Sequence, residues 1–474
     1  MNPKRNNLTE GPIAKSLFTL AVPIILANIL QAGYQLIDAF WVGRLGGTAV
    51  AAVSVSTPVT FLTIALGVGL AIAGSTLIAQ YFGAKNQEMV NHVAAQTLLM
   101  IFIVSVVLGS IGYILTPWIL QLMGVAPDVY VAAVGFMRVS FIGLIFNFFF
   151  FMFQSIMRGV GEANLPVYIV LGTVILNFIL DPLFIFGWNF IPPMGVMGAA
   201  MATVGTQSIA AIIGLIILLK GKYGIHLSIK DFKPDFAFIK RAFLLGFPAS
   251  IEQSMRALGM TVLTFLVASF GTLTVAAYGV GSTLLQVIMI PAMGLAMAIS
   301  ALVGQNIGAG NIKRASDIGR LGAWVGFGVL TGIGIIVFIF APHIVGFFVP
   351  GEGAVIASGA LFLRIIALSW GFMAVQLALT GVLRASGNMM APMVLALVSQ
   401  WVLQFPLAYV LSKHTSLGVT GLWWSFTITN VVTALITLVW YAKGDWKKKR
   451  ITTDEERLTT EVSEEIIIEE GVRQ

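Results

Sequence analysis

The chain has no cysteine, and only 10% of its 474 residues are charged. The first absence excludes disulfides, thiolate metal sites and iron–sulfur clusters. The second sets it apart from soluble domains, of which roughly 25% of residues are charged. No Walker A phosphate loop is present, so ATP hydrolysis by this chain is not indicated. Neither a His-Glu-x-x-His zinc pair nor a Gly-x-Ser-x-Gly nucleophile elbow occurs. The four histidines, His92, His226, His343 and His414, fall in loops or at span ends and do not cluster in sequence. A cleavable leader is not evident either. The first apolar run, residues 17–37, is long enough to span a bilayer and lacks a clear small-residue cleavage site, so it reads as a retained first helix.

What the chain has in excess is apolar residues, 58% of the total, and among its 50 glycines many lie inside the apolar runs. Its mean hydropathy is +0.94. Spans are expected at 14–40, 50–80, 91–116, 130–157, 165–188, 196–220, 237–269, 275–303, 316–341, 356–382, 392–412 and 418–442. In lipid the backbone must satisfy itself, so these are helices, and no strand-like alternation suggests a β-barrel. With the N-terminus placed in the cytoplasm, Lys15, Lys85, Arg158, Lys220, Lys222, Lys313, Arg384 and Lys447 to Arg450 all fall inside, as do Lys4 and Arg5. Arg44 and Lys413 alone fall outside. Positive residues mark cytoplasmic loops, so both termini are expected there.

The chain repeats itself once. Val50-Ala51-Ala52 recurs as Val275-Ala276-Ala277, and Gln80 to Asn86 recurs as Gln305 to Asn311, each 225 residues on. Arg158, Gly161 and Pro166 recur as Arg384, Gly387 and Pro392, 226 residues on; Arg138 pairs with Arg364 and Pro23 with Pro248. The expected fold is an all-α membrane protein of twelve transmembrane helices in two pseudo-symmetric six-helix lobes. Its parts are an N-terminal lobe over 1–220, a cytoplasmic linker over 221–236, a C-terminal lobe over 237–442 and a charged cytoplasmic tail over 443–474. The tail starts basic, at a level suited to anionic headgroups, and turns acidic after Asp454.

Two acids inside apolar spans carry the chemistry. A carboxylate in a bilayer costs at least a few kcal/mol and by default marks an ion or proton path. Asp38 and Asp181 sit late in spans one and five, which run in the same direction, so both belong to the outer half of the first lobe. Asn177 lies four residues before Asp181, and Tyr34 and Gln31 lie four and seven before Asp38, on shared helix faces. Thr203, early in span six, starts near the same level. Two carboxylates, an amide and a hydroxyl are hard oxygen ligands suited to Na⁺ or a shared proton. The plainer alternative is that each aspartate is a structural acceptor between helices. At aligned positions the second lobe has Leu263, Gln404, Ala408 and Phe426, so only the first copy carries the acids.

Other candidates admit two readings each. Glu252, with Arg256 at i+4, is either a structural or gating salt bridge or a second-lobe site for coupling or substrate. Pro23 is either a hinge linked to Asp38 or a static kink. Gln154 and Met157, with Gln31 and Tyr34, are candidates to line a substrate cavity, although Met in membrane helices also serves simply to pack. Arg138 and Arg364 are expected to snorkel outward or to bond loop carbonyls, and Arg158 and Arg384 to anchor span ends.

Taken together, Pro23, Gln31, Tyr34, Asp38, the run Val42 to Gly46, Leu176-Asn177, Asp181-Pro182 and the two Arg-Gly-Pro turns resemble the multidrug and toxic compound extrusion (MATE) family. The resemblance extends to about residue 442, and the first-lobe acids resemble its DinF-like branch, of bacteria and archaea. It implies a cation site at Asp38, Asn177, Asp181 and Thr203, and bending of helix one at Pro23. The chain departs from the NorM-like branch, whose acids lie in the second lobe: Glu252 stands one turn early and Arg256 occupies that branch's turn. A tyrosine that some relatives carry is Phe136 here.

The expected function is H⁺- or Na⁺-coupled antiport that exports hydrophobic or cationic drugs and toxic compounds by alternating access, without enzymatic activity and without a cofactor beyond the coupling ion. The expected setting is the plasma membrane of a prokaryote, as a monomer among lipids, with amphipathic small molecules as substrates and no nucleic acid. The alternative is a lipid-linked or polysaccharide flippase of related fold, disfavoured because Arg256 is the only basic candidate away from span ends. An intramembrane aspartyl protease would require a Gly-x-Gly-Asp signature, which neither aspartate has.

Overall fold

The computed structural model describes residues 8–189 and 191–451; Lys4, Arg5 and the acidic stretch after Asp454 lie outside them. The described chain is helical throughout. In the first half the long helices are α1 (Ile13–Gly43), α2 (Gly47–Gly83), α3 (Gln87–Leu122), α4 (Pro127–Gly159), α5 (Asn164–Phe186) and α6 (Val196–Lys220). The second half has α7 (Phe236–Ala268), α8 (Thr272–Gly308), α9 (Ile312–Phe348), α10 (Gly353–Ala367), α11 (Trp370–Ala385), α12 (Met390–Leu397), α13 (Phe405–Lys413) and α14 (Val419–Lys443).

Ten of these segments, with 390–413 counted as one, are long and apolar enough to cross a membrane on length and composition. An eleventh crossing is the pair α10 and α11, bent by 49°. The twelfth, α7, is 33 residues long and carries Lys240, Arg241, Glu252 and Arg256, which pull it below that apolarity. The expected spans therefore match in number and place, with two internal corrections. Span ten is not one helix: it breaks at Leu368 and Ser369, where Asn430 of α14 donates to the Ser369 hydroxyl (3.0 Å). Span eleven contains a π-helical stretch at Val398–Gln404, just before Pro406. Proline supplies no N–H, so the helix rewinds ahead of it.

The two halves meet through α1, α2, α7 and α8, with α2 packed on α7 and α8, and α1 on α8. Contact is closest at the end that carries the basic loops. There Gln80 Nε2 donates to the Ala385 carbonyl (2.7 Å) and Gln305 Nε2 to that of Gly159 (2.8 Å). Residues 80 and 305 are repeat mates, so the two bonds form a pseudo-two-fold latch. A Cβ on Gly83 would overlap the Gln305 carbonyl, and one on Gly308 that of Gln80. Only glycine lets the two backbones come this close. Residues near the limits of the described chain reinforce the seam: Asn306 donates to the Leu8 carbonyl (3.4 Å) and the Ile451 N–H donates to Gln80 Oε1 (2.9 Å).

The duplicated turns also match in backbone. Gly161 and Gly387 both have φ of +83°, and Lys85 (+59°) occupies the left-handed position that Gly310 (+77°) takes in the second copy. The paired arginines follow the same rule. Arg138 lies over the Tyr113 ring (4.8 Å), and its mate Arg364 lies over Phe338 (5.7 Å) while its Nε donates to the Phe338 carbonyl (3.1 Å). Pro342 follows Phe338 by four residues and leaves that carbonyl without its helical partner.

A test of the latch follows. The protein has no cysteine of its own, so a single cysteine at buried Thr76 is expected to react slowly with an impermeant maleimide. Gly83→Leu should prop the seam open and raise that labelling rate several-fold. An unchanged rate would mean that the glycine contact does not hold this end shut.

Candidate functional site

Asp38 lies one turn before the end of α1, and α1 packs against α5 and α6. Asn177 and Asp181 fall on one face of α5, and Thr203 and Thr206 on one face of α6. These three faces converge inside the first lobe. Thr203 Oγ1 donates to Asp38 Oδ2 (3.3 Å), and Asn177 Nδ2 donates to Asp181 Oδ1 (3.0 Å). The two carboxyl groups are within hydrogen-bonding reach of one another, and Asn177 reaches Asp38 as well. The helices thus bring together all four residues expected to bind a cation.

The chemistry of the cluster lies in what is left over. Asp38 Oδ1, Asp181 Oδ2 and Asn177 Oδ1 are buried and receive no donor from the described residues. A buried polar atom without a partner normally costs about 1–3 kcal/mol, and more for a charged group. Three acceptors together, two of them on facing carboxyls, form a set that a proton or a small hard cation would complete. Tyr34 closes the cluster on the basic side. It is 3% exposed, and its hydroxyl lies 2.6 Å from Thr206 Oγ1, which in turn donates to the Thr203 carbonyl (2.9 Å). Thr206 was not among the expected residues, although its i+3 spacing from Thr203 was available as a signal.

The equivalent place in the second lobe is filled with core. Leu263 and Ala408 are buried in one apolar cluster with Phe362, Trp370 and Trp423, and Phe426 packs against it. Gln404 spends its amide on Ser425 (3.0 Å).

Other expected residues fall elsewhere. Met157 does not line a cavity: it is 1% exposed in the first lobe's apolar core with Phe153 and Ile156. Its position on the inward face of α4 gives it packing partners on every side. Gln154 is buried, and Gln31 is half-buried on α1. Helix α1 runs unbroken through Pro23.

Glu252 is fully buried and joins two arginines, one of them unforeseen. Arg256 Nη2 lies 3.3 Å from Oε1, and Arg384 Nη2, from the end of α11, lies 2.6 Å from the same oxygen. Arg384 was expected only to anchor its span. Its repeat mate Arg158 donates to Ser155 Oγ (3.1 Å), because the position matching Glu252 in the first lobe is Ala27. Nothing local in sequence joins residues 252 and 384. Removing the acid of a buried ion pair costs about 3–5 kcal/mol, since the partner charges stay behind. Glu252→Gln is therefore expected to lower the thermal unfolding midpoint markedly in detergent, while Glu88→Gln on exposed α3 leaves it in place. Equal midpoints would sink the assignment of Glu252 as a structural counter-charge.

Comparison with known proteins agrees with this architecture. The family profile described as MatE matches residues 23–183 and 248–410, one stretch in each half. The chain is 31% identical over 450 residues to the probable multidrug resistance protein YoeA of Bacillus subtilis (strain 168), covering 94% of this chain and 96% of that one. It is 30% identical to the probable multidrug resistance protein YpnP of the same organism, covering 95% and 100%. Among solved structures it is similar to an outward-facing conformation of a multidrug resistance MATE family transporter of the MOP superfamily. That match has a TM-score of 0.87 at 25% identity and covers 94% of this chain and 100% of the other. With twelve helical crossings, a duplicated six-helix plan and a family profile that matches both copies, the chain belongs to the MatE family of multi-pass membrane transporters and is not an enzyme.

Proposed function

We propose that this protein is a cation-coupled antiporter of the DinF-like branch that exports hydrophobic or cationic small molecules, with H⁺ or Na⁺ as the coupling ion. The observation that carries the reading is the converging pair Asp38 and Asp181 with three oxygens lacking donors. The relatives' names, which describe multidrug resistance, support the substrate class.

Antiport needs an ion that prefers the state from which substrate leaves, because a ligand indifferent to both states shifts nothing. The cluster suits that requirement. An ion arriving from the end opposite the basic loops meets two carboxyls and an amide oxygen that nothing else satisfies. Its binding ties α1 to α5 and α6. Helix α1 also packs on α8 of the other lobe, so a change in how α1 seats is felt at the lobe interface. Pro23 leaves the Thr19 carbonyl without a helical partner on α1, which makes that turn the softest place for the helix to bend. The basic loops, on this reading, face the cytoplasm, with both termini inside the cell, in a prokaryotic plasma membrane. On this reading the cation site belongs to the first lobe alone, and the protein works as a monomer.

The test is transport in everted vesicles loaded with a fluorescent cation, under an imposed pH or Na⁺ gradient. Asp38→Asn and Asp181→Asn should each reduce gradient-driven movement to the level of empty vesicles, while both variants still fold. Full gradient-driven transport in both would refute the coupling role. Exchanging the pH gradient for a Na⁺ gradient at fixed membrane potential identifies the ion.

A further inference from the structure

Two segments outside the spanning helices lie across the seam, and they do so in matching ways. Leu8 is 3% exposed although it precedes the first helix. Its side chain takes the space that a Cβ on Gly161 would fill, next to Gln305 Nε2. Past the last spanning helix, the Ile451 side chain takes the corresponding space at Gly387, and its N–H donates to Gln80 Oε1 (2.9 Å). Gly161 and Gly387 are repeat mates with the same left-handed backbone, so each bare glycine forms a seat for one aliphatic side chain. The seats adjoin the two latch bonds. Gln305 donates to the Gly159 carbonyl just before one seat, and Gln80 to the Ala385 carbonyl just before the other.

Both segments are anchored on the second lobe. Arg314 of α9 donates to the carbonyls of Gly11 (2.8 Å) and Glu10 (3.0 Å), and Asn306 of α8 donates to that of Leu8. At the other segment, Gly444, with φ of +78°, turns the chain at the end of α14. Trp446 is then 1% exposed, stacks on Tyr441 (5.3 Å) and donates from Nε1 to the Tyr441 carbonyl (3.1 Å). Arg450 donates to the Gly308 carbonyl (2.6 Å). From these anchors each segment sends one aliphatic residue to the first lobe. Leu8 rests on Gly161, and Ile451 packs against the apolar core that holds Ile78 and Phe153. A hydrogen bond open to water contributes little, because water competes for both partners. Screened by apolar groups, the same bond is stronger and costly to break.

We infer that residues 8–11 and 445–451 are paired straps that seal the seam. Leu8 and Ile451 keep water from the Gln305 and Gln80 latch bonds, and the lobes part at this end only once both straps are unseated. This rests on the alternating-access part of the transport reading above, to which it adds a gate built from segments outside the spanning helices. Because both straps ride on the second lobe, separation of the lobes pulls Leu8 off Gly161 and Ile451 off Gln80. The straps therefore act on how often this end opens, whichever ion drives the cycle.

Thiol labelling of the purified protein in nanodiscs, with no ion gradient, tests this. Single cysteines replace Thr76 at the seam, Ala163 in the buried cluster that contains Leu8, and Ser56 near the opposite end of α2; all three positions are buried. With the straps unaltered, Ala163→Cys is expected to react at least as fast as Thr76→Cys. A much faster Thr76→Cys would mean that the seam opens with the straps seated, and the inference falls. Leu8→Ser and Ile451→Ser should each raise the Thr76→Cys rate at least about fivefold, the factor to which about 1 kcal/mol corresponds. Ser56→Cys should stay slow in both. An unchanged Thr76→Cys rate in both strap variants overturns the inference. An equal rise at Thr76→Cys and Ser56→Cys overturns it too, because the straps would then be general packing rather than a seal of one end. If the strap variants behave as expected while Asp38→Asn and Asp181→Asn keep full gradient-driven flux, the seal stands and the coupling reading is removed.

Discussion

In hydrocarbon a polar group without a partner costs several kcal/mol, and the frame of this protein answers to that constraint. It makes the spans helical. It also explains what fills the gaps where a helix cannot satisfy itself. Pro342 strips a partner from the Phe338 carbonyl and Arg364 supplies one. Gln80 and Gln305 cap the last carbonyls of the opposite lobe at the seam. Other buried polar atoms also lack a partner, among them Asn147 Oδ1, Glu252 Oε2 and Asn306 Oδ1, but only at Asp38, Asp181 and Asn177 do three bare acceptors gather in one cluster.

Duplication built the scaffold, and divergence assigned the work. The seam, the left-handed turns and the arginine–aromatic pairs recur in both copies. The charged interiors do not. Where the first lobe has acids and a tyrosine–threonine pair, the second has Leu263, Ala408 and a tryptophan-lined core. Where the second has Glu252 between two arginines, the first has Ala27, and Arg158 turns to a serine hydroxyl. Each lobe keeps its buried charge in a different place, although the frame that carries them is nearly symmetric.

Much of this was legible in the chain itself. Spans of twenty or more apolar residues need no tertiary context to be recognised, because lipid imposes the helix. The repeat is visible as matched glycines, prolines and arginines. The acid site was legible too, since Asn177 and Asp181 share a face by periodicity and charge-poor surroundings make any aspartate conspicuous. Harder to see were features that depend on a neighbour distant in sequence. The bend at Leu368 and Ser369 is tied to Asn430, and Met157 looked like a cavity residue until its packing partners were known.

By itself the sequence determined the number of crossings, the duplicated plan and which half bears the aspartates, because hydropathy, periodicity and identity are local properties of a chain. Only the tertiary structure decided that Asp38 and Asp181 come within reach of each other, that Arg384 rather than Arg256 is the nearer partner of Glu252, and that the lobes are latched at the basic end. Those outcomes depend on how helices rotate and cross. Rotation and crossing are set by which small residues let two backbones approach, and no single helix carries that information.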